Sequence, residues 1–306
     1  MALHRLTSIT IAVPDVARTA PYYEELGLTA LGDGRFATRD GGEQLRLVSA
    51  PYRHLHELGV GVDDADDLGR IAAALAGLGV TAEQTPRSLT AVDPGTCVRT
   101  VVSIAARIEQ PPTPAAAANG PGRDDRRTQR ADAVLRDGPV RPRKLGHVVM
   151  GSTDLPASQR FFINGIGFKV SDTIAGLASF LRCSTDHHNL LMQAAPLPFL
   201  HHTSWQVNDV DEIGHGARAM LSIDPARHVW GLGRHCIGSN FFWYLRDPAG
   251  NFTEYYADLD CILDDQLWEP RVWDGAGALA SWGPPVPPSF LSPDDLAELM
   301  AGAHGR

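Results

Sequence analysis

The sequence predicts an α+β chain of four βαβββ modules in tandem, two to a domain. Three observations lead there. Strand-type segments with period-two alternation each run into a helical stretch. The two halves of the chain match one another segment by segment, the signature of internal duplication. Residues 107–143, rich in Pro, Ala, Gly and mixed charge, offer few large apolar side chains to bury and read as a linker. The expected units are an N-terminal structural domain over 1–106, the linker over 107–143, a C-terminal catalytic domain over 144–262 and a tail over 263–306.

In the first half, Arg5–Val13 reads as a strand. Pro14-Asp15-Val16 leads into a helix over Val16–Leu26, stopped at Gly27, which suits a left-handed cap. His56–Val62 opens the second module, a helix over Ala65–Leu78 follows, and Asp93-Pro-Gly-Thr96 turns between two closing strands. The second half repeats the series: strand Lys144–Ser152, helix Leu155–Ile163 and its stop at Gly165-Ile-Gly167. Strand His201–Val207, helix Val210–Leu221 and turn Asp247-Pro-Ala-Gly250 complete the fourth module. Beyond Asp260, three tryptophans (Trp268, Trp273, Trp282) and the run Gly283-Pro-Pro-Val-Pro-Pro-Ser-Phe290 suggest an extended segment packed over a domain or a neighbouring subunit. Ser292–Met300 reads as a short helix with Ser292 as N-cap and Pro293 at its first position.

Composition limits the function classes. With 43% hydrophobic and 21% charged residues, the 306-residue chain has the balance of a soluble globular protein. Its formal charge of −9 argues against nucleic acid or an anionic membrane as partner, since both call for a basic face. No run of about 18 apolar residues and no leader-like N-terminus is visible. Cys97, Cys183, Cys236 and Cys261 are widely spaced without a Cys-x-x-Cys pair, so free thiols in the cytoplasm are expected.

Three residues of the second half stand out. His147, His202 and Glu254 each sit in a strand-type segment, and alternation puts Leu145, His147 and Val149 on one face, His202, Ser204 and Gln206 on one, and Phe252, Glu254 and Tyr256 on one. Two imidazoles and a carboxylate form the ligand set that holds a divalent metal from one side and leaves the other open. The duplication supplies a control: the matching first-half residues are Ser8, Glu57 and Thr100, which cannot build that site. His4, His54 and His56 therefore read as surface or packing residues, and Cys236 as a lining residue.

On these residues, and on the stretch Arg234-His235 through Tyr244, Asp247-Pro248-Ala-Gly250 and Glu254-Tyr255, the chain resembles the two-domain type I extradiol ring-cleavage dioxygenases of the vicinal oxygen chelate superfamily. The family signature is a His, a Tyr on the next strand and a Pro-x-Gly turn before the ligand Glu; His235, Tyr244, Pro248, Gly250 and Glu254 fill it in order. The resemblance covers both halves in architecture and is specific from about residue 144 to 262. It implies two tandem vicinal-oxygen-chelate domains, each a curved mixed sheet enclosing a cavity. It implies His147, His202 and Glu254 as ligands of Fe(II), a set that also suits Mn(II). His188 is implied as the acid–base residue beside the O2 site, and His235 and Tyr244 as the pair bonding the diol. The interval from His188 to His202 is a residue shorter than the family pattern, which leaves both His187 and His188 as candidates for that position. The substrates implied are a catechol-type aromatic and O2, and a homo-oligomer is expected. Phe180, Trp205, Phe241 and Trp243 are candidate lining residues for an aromatic ligand. Two rival readings remain on the same scaffold: a metal-dependent glyoxalase-like isomerase or epimerase, whose ligands tend to be shared between paired modules, and a metal-free small-molecule binding protein.

Overall fold

The computed structural model describes residues 3–299 apart from 114, 116, 276–278, 293, 294 and 296–298. The helix expected over Ser292–Met300 lies outside the described residues for most of its length.

The first module comprises β1 (Arg5–Val13), α1 (Val16–Glu25), β2 (Thr29–Gly32), β3 (Arg35–Thr38) and β4 (Gly42–Ser49). The second comprises β5 (His54–Val62), α2 (Ala65–Gly77), β6 (Ala82–Gln84), β7 (Ser88–Val92) and β8 (Arg99–Ile104). After a single helical turn, α3 (Asp132–Leu135), the third module runs β9 (Lys144–Ser152), α4 (Leu155–Gln159), β10 (Lys169–Ile174), β11 (Ala178–Arg182) and β12 (Leu190–Ala194). The fourth is β13 (Phe199–Gln206), α5 (Val210–Ile223), β14 (His228–Arg234), β15 (Phe241–Arg246) and β16 (Phe252–Ala257). A short β17 (Arg271–Trp273) and α6 (Pro288–Leu291) follow.

Two sheets result. The first has eight strands in the order β2-β3-β4-β1-β5-β8-β7-β6, the second nine in the order β14-β15-β16-β13-β9-β12-β11-β10-β17. In each, the opening strands of two modules pair antiparallel at the centre, β1 with β5 and β9 with β13. Each opening strand also pairs in parallel with the closing strand of its own module. This is the α+β duplication that the repeats predict.

The helices begin by one device used four times. Asp15, Asp64, Asp154 and Asp209 are extended N-caps whose carboxylates accept the amide three residues on. Asp209 additionally holds Arg136, with a closest contact of 2.6 Å. Asp209→Ala should therefore cost about 1–2 kcal/mol of stability, read as a lower urea midpoint at unchanged slope. The third helix differs from expectation. Only Leu155–Gln159 is α-helical, and Arg160–Ile166 widens into a π-turn. The Phe162 carbonyl there accepts both the Gly167 and Phe168 amides, and Gly167 closes the turn at φ +103°. The adjacent Phe161 and Phe162 both reach the core, which successive positions 100° apart on a regular helix do less readily.

One hydrophobic core runs through both halves, and hydrogen bonds cross the boundary. The Tyr23 hydroxyl donates to Asp247 (3.0 Å), Tyr22 meets Thr253 (2.5 Å), and the Tyr255 hydroxyl donates to the Leu26 carbonyl (2.7 Å). Helix α1 of the first domain thus braces β16, the strand carrying Glu254, at Thr253 and Tyr255 on either side of that residue. The described residues of the linker are mostly exposed up to Arg141, while Arg143 is buried, and the segment is tied by Arg107 to Asp63, by Gln110 to Asp40 and Gln206, and by Arg143 to Asp40. Arg53, buried at the boundary, binds Asp295 through two contacts (2.6 and 2.8 Å) and donates to the Leu200 carbonyl and Asn251. Among the described residues no helix is long and apolar enough to cross a membrane.

Candidate metal centre

His147, His202 and Glu254 come from β9, β13 and β16, three neighbouring strands of the second sheet. Ser204 stands opposite His147 on one side and opposite Glu254 on the other, while His202 lies two residues back along β13 on the same face. The side chains converge: His147 Nε2 is 3.0 Å from Glu254 Oε2, His202 Nε2 is 3.6 Å from the same oxygen, and the two nitrogens are 3.4 Å apart. Ligand atoms about 2.1 Å from a cation and at right angles to one another would lie about 3.0 Å apart. The triangle is of that size. It is the one such group among the described residues.

The electrostatics also fit a cation. Glu254 is wholly buried, and its carboxylate accepts from the Ser204 hydroxyl (2.6 Å) and the Asn240 amide (3.1 Å). Burial pushes this carboxyl up, but His147, His235 and His202 outweigh it and hold it well below the usual range. Burial and the neighbouring His201 push His202 well below its ordinary value, so its ring is neutral near pH 7. A wholly buried anion whose partners are imidazole nitrogens, with no Lys or Arg beside it among the described residues, is the charge set that suits a divalent ion. The residues present therefore fit the metal.

Around this triangle lies a cavity of about 110 Å³ lined by five histidines, Tyr244 and Gln193 and otherwise by apolar side chains such as Val149, Phe180 and Ile237. His188 opens onto it, with its ring 4.2 Å from that of His147; burial, reinforced by His147, pushes its pKa well down. His187 turns away to pack on Trp268, with Asp172 at 3.5 Å. His235 Nε2 is 2.9 Å from the Tyr244 hydroxyl, whose pKa burial and Glu254 both raise.

The expected aromatic lining holds only for Phe180. Trp205 points to the opposite face and is buried in the core, with its ring N–H on Thr203. Phe241 carries Arg234 over its ring and Trp243 bonds His228, so both lie off the cavity. Cys236 does not line it either. Alternation gives two faces, and these aromatics take the other one. Ser204, by contrast, was visible as a face-mate of His202. Asn240 and Phe290 gave no local signal: one sits in a loop, the other in the proline-rich tail 36 residues beyond Glu254.

In the first half, Gly59 is opposite Val101 just as Ser204 is opposite Glu254, so the ladder makes Val101, one residue beyond Thr100, the counterpart of Glu254. An apolar side chain there supplies no ligand in either register.

Residues 144–255 match the family model described as the glyoxalase/bleomycin resistance protein/dioxygenase superfamily. Metapyrocatechase 2 of Cupriavidus necator is 30% identical over 304 residues, which cover 95% of this chain and 92% of that one. Biphenyl-2,3-diol 1,2-dioxygenase of Paraburkholderia xenovorans is 27% identical, covering 89% and 95%. Among solved structures, homoprotocatechuate 2,3-dioxygenase of Brevibacterium fuscum superposes with a TM-score of 0.75 at 18% identity, covering 95% and 92%. A Mn(II)-bound glyoxalase of Novosphingobium aromaticivorans gives 0.74 at 23%, covering 94% of each.

Proposed function

The chain belongs to the extradiol ring-cleavage dioxygenases of this superfamily, and on that premise we propose how it works and on what. It cleaves an aromatic ring beside a vicinal diol with O2. The observation that carries the site assignment is the buried Glu254 carboxylate facing two imidazole nitrogens at 3.0 and 3.6 Å. His147, His202 and Glu254 would hold Fe(II) or Mn(II). Bound there, such an ion would supply the redox chemistry that lets a singlet diol react with triplet O2, a reaction otherwise slow.

The chain's own residues position the diol and handle its protons. Tyr244, tethered to His235 Nε2, holds a diol oxygen. His188 spends Nδ1 on His187 Nδ1 at 3.0 Å, which leaves Nε2 for the reacting oxygen, where it donates or takes a proton. The phenyl face of Phe180 and the side chains of Val149, Leu191 and Ile237 shield the ring from water.

The cavity also selects. Among the described residues no Lys, Arg, Asp or Glu appears in its lining, and about 110 Å³ suits a single ring with small substituents. The substrate is accordingly a neutral monocyclic catechol. A ring carboxylate would lose its water without a cation to meet it, so kcat/KM should favour alkylcatechols over carboxylated catechols by about 10²-fold or more. Biphenyl-2,3-diol should trail by at least about tenfold, since its second ring does not fit. The test is anaerobic reconstitution with Fe(II), then each diol plus O2, following the yellow ring-opened product. Preference for the carboxylated diol would refute the substrate class; no turnover of any diol would refute the activity. The four cysteines are all free, which supports placing the enzyme in the cytoplasm.

A further inference from the structure

Two backbone carbonyls of the C-terminal segment meet histidines of the site. The Phe290 carbonyl lies 2.7 Å from His201 Nε2, and the Leu279 carbonyl lies 2.5 Å from His235 Nδ1. A carbonyl can only accept, so each of those ring nitrogens carries a hydrogen. The rest follows by elimination. A neutral imidazole has one N–H, and His201 spends it on Phe290, which leaves its Nδ1 to accept. His201 Nδ1 is 2.7 Å from His202 Nδ1, a distance two bare nitrogens would not keep. His202 therefore carries its hydrogen on Nδ1 and presents the Nε2 lone pair to Glu254 and His147. In the same way His235, which gives its Nδ1–H to Leu279, offers Nε2 as acceptor to the Tyr244 hydroxyl, which turns the tyrosine's oxygen lone pairs toward the cavity.

We propose that the segment Leu279–Phe290 is a working part of the metal centre, and that His201 is a positioning residue relaying the Phe290 carbonyl to His202. The relay holds His202 in the one tautomer that can ligate a metal through Nε2, and the second carbonyl sets the direction of the Tyr244–His235 hydrogen bond. The segment is seated for this task. Phe290 is buried against His201, Tyr244, Trp230 and Phe252, and Asp295 beyond it is clasped by Arg53. The inference rests on the ligand assignment above; partners that orient a ligating histidine commonly contribute 10–100-fold to metal affinity.

The test uses the full chain loaded with Zn(II), which is diamagnetic and needs no turnover. Ring 15N–1H correlation spectra should show His201 protonated on Nε2, and His202 and His235 on Nδ1. His201→Phe keeps a planar ring but has no acceptor, and should weaken Zn(II) binding by about 10–100-fold. His201→Gln carries an acceptor and a donor on one amide, and should recover most of that affinity and the His202 tautomer. Unchanged affinity and tautomer in His201→Phe would overturn the relay, as would equal loss in both variants, because packing alone would then be responsible. Glu254→Gln separates the two readings: if it binds Zn(II) as tightly as the parent, the ligand assignment itself fails.

Discussion

Glu254→Gln is expected to cost far more in the metal-loaded protein than in the metal-free one. Without metal, the carboxylate is a buried charge that accepts from the Ser204 hydroxyl and the Asn240 amide and that His147, His235 and His202 hold well below its usual range. A carboxyl held ionised contributes stability at pH above that range, and the neutral isostere forfeits it. The metal-free variant should therefore unfold at a lower temperature than the parent. With metal the gap should widen. A ligand present at a thousand times its Kd stabilises the native state by about 4 kcal/mol, and a variant lacking the anionic ligand forfeits most of that gain. Loss of a direct ligand should exceed the 10–100-fold typical of supporting residues, and ring cleavage should fall with metal content. Thermal melts of both proteins with and without added Fe(II) under anaerobic conditions give all four values. A gap between variant and parent that added metal leaves unchanged would show that Glu254 does not ligate the ion, and the metal assignment would lose its support.

His188→Asn is the second large effect, and it should separate chemistry from metal binding. His188 lines the cavity without joining the triangle of His147, His202 and Glu254. Metal content should stay close to that of the parent while kcat falls by about 10²–10⁴-fold, the usual contribution of a positioned proton-transfer group. Single-turnover rates after mixing the anaerobic diol complex with O2 provide the measurement. If kcat survives and only KM rises, His188 serves in binding and the proton-transfer role passes elsewhere. The corresponding His187 substitution should leave the chemical step far less affected, because that ring faces Asp172 and Trp268.

The legible part of this molecule is the part written locally. Asp15, Asp64, Asp154 and Asp209 mark four helix starts, Gly27 and Gly167 adopt the positive φ that the stops require, and the order of elements follows the repeats. His147, His202 and Glu254 could be picked out because period-two alternation assigns a face to each strand residue. The ladder then brings their ligand atoms within 4.8 Å of one another. What failed to show depends on long-range pairing. Alternation sets Trp205 opposite His202 and Ser204, and Phe241 and Trp243 opposite Tyr244, so an aromatic residue type without its face is no sign of cavity lining. The π-turn at Arg160–Ile166 has no sequence period that distinguishes it from a helix. His201 looked like a neighbour of a ligand because its partner is a backbone carbonyl 89 residues away, and carbonyls carry no residue-type signal.

The clasp of Arg53 on Asp295 bears on how the enzyme is made. Translation delivers a polypeptide from its amino end, so the stretch bearing Leu279 and Phe290 leaves the ribosome after every strand that supplies a ligand atom. Arg53 is waiting on the earliest third of the nascent protein, already fixed against Leu200 and Asn251. Docking of the late-born stretch onto that anchor is then the closing act of maturation, and the pocket gains its roof and its proton bookkeeping at the same moment.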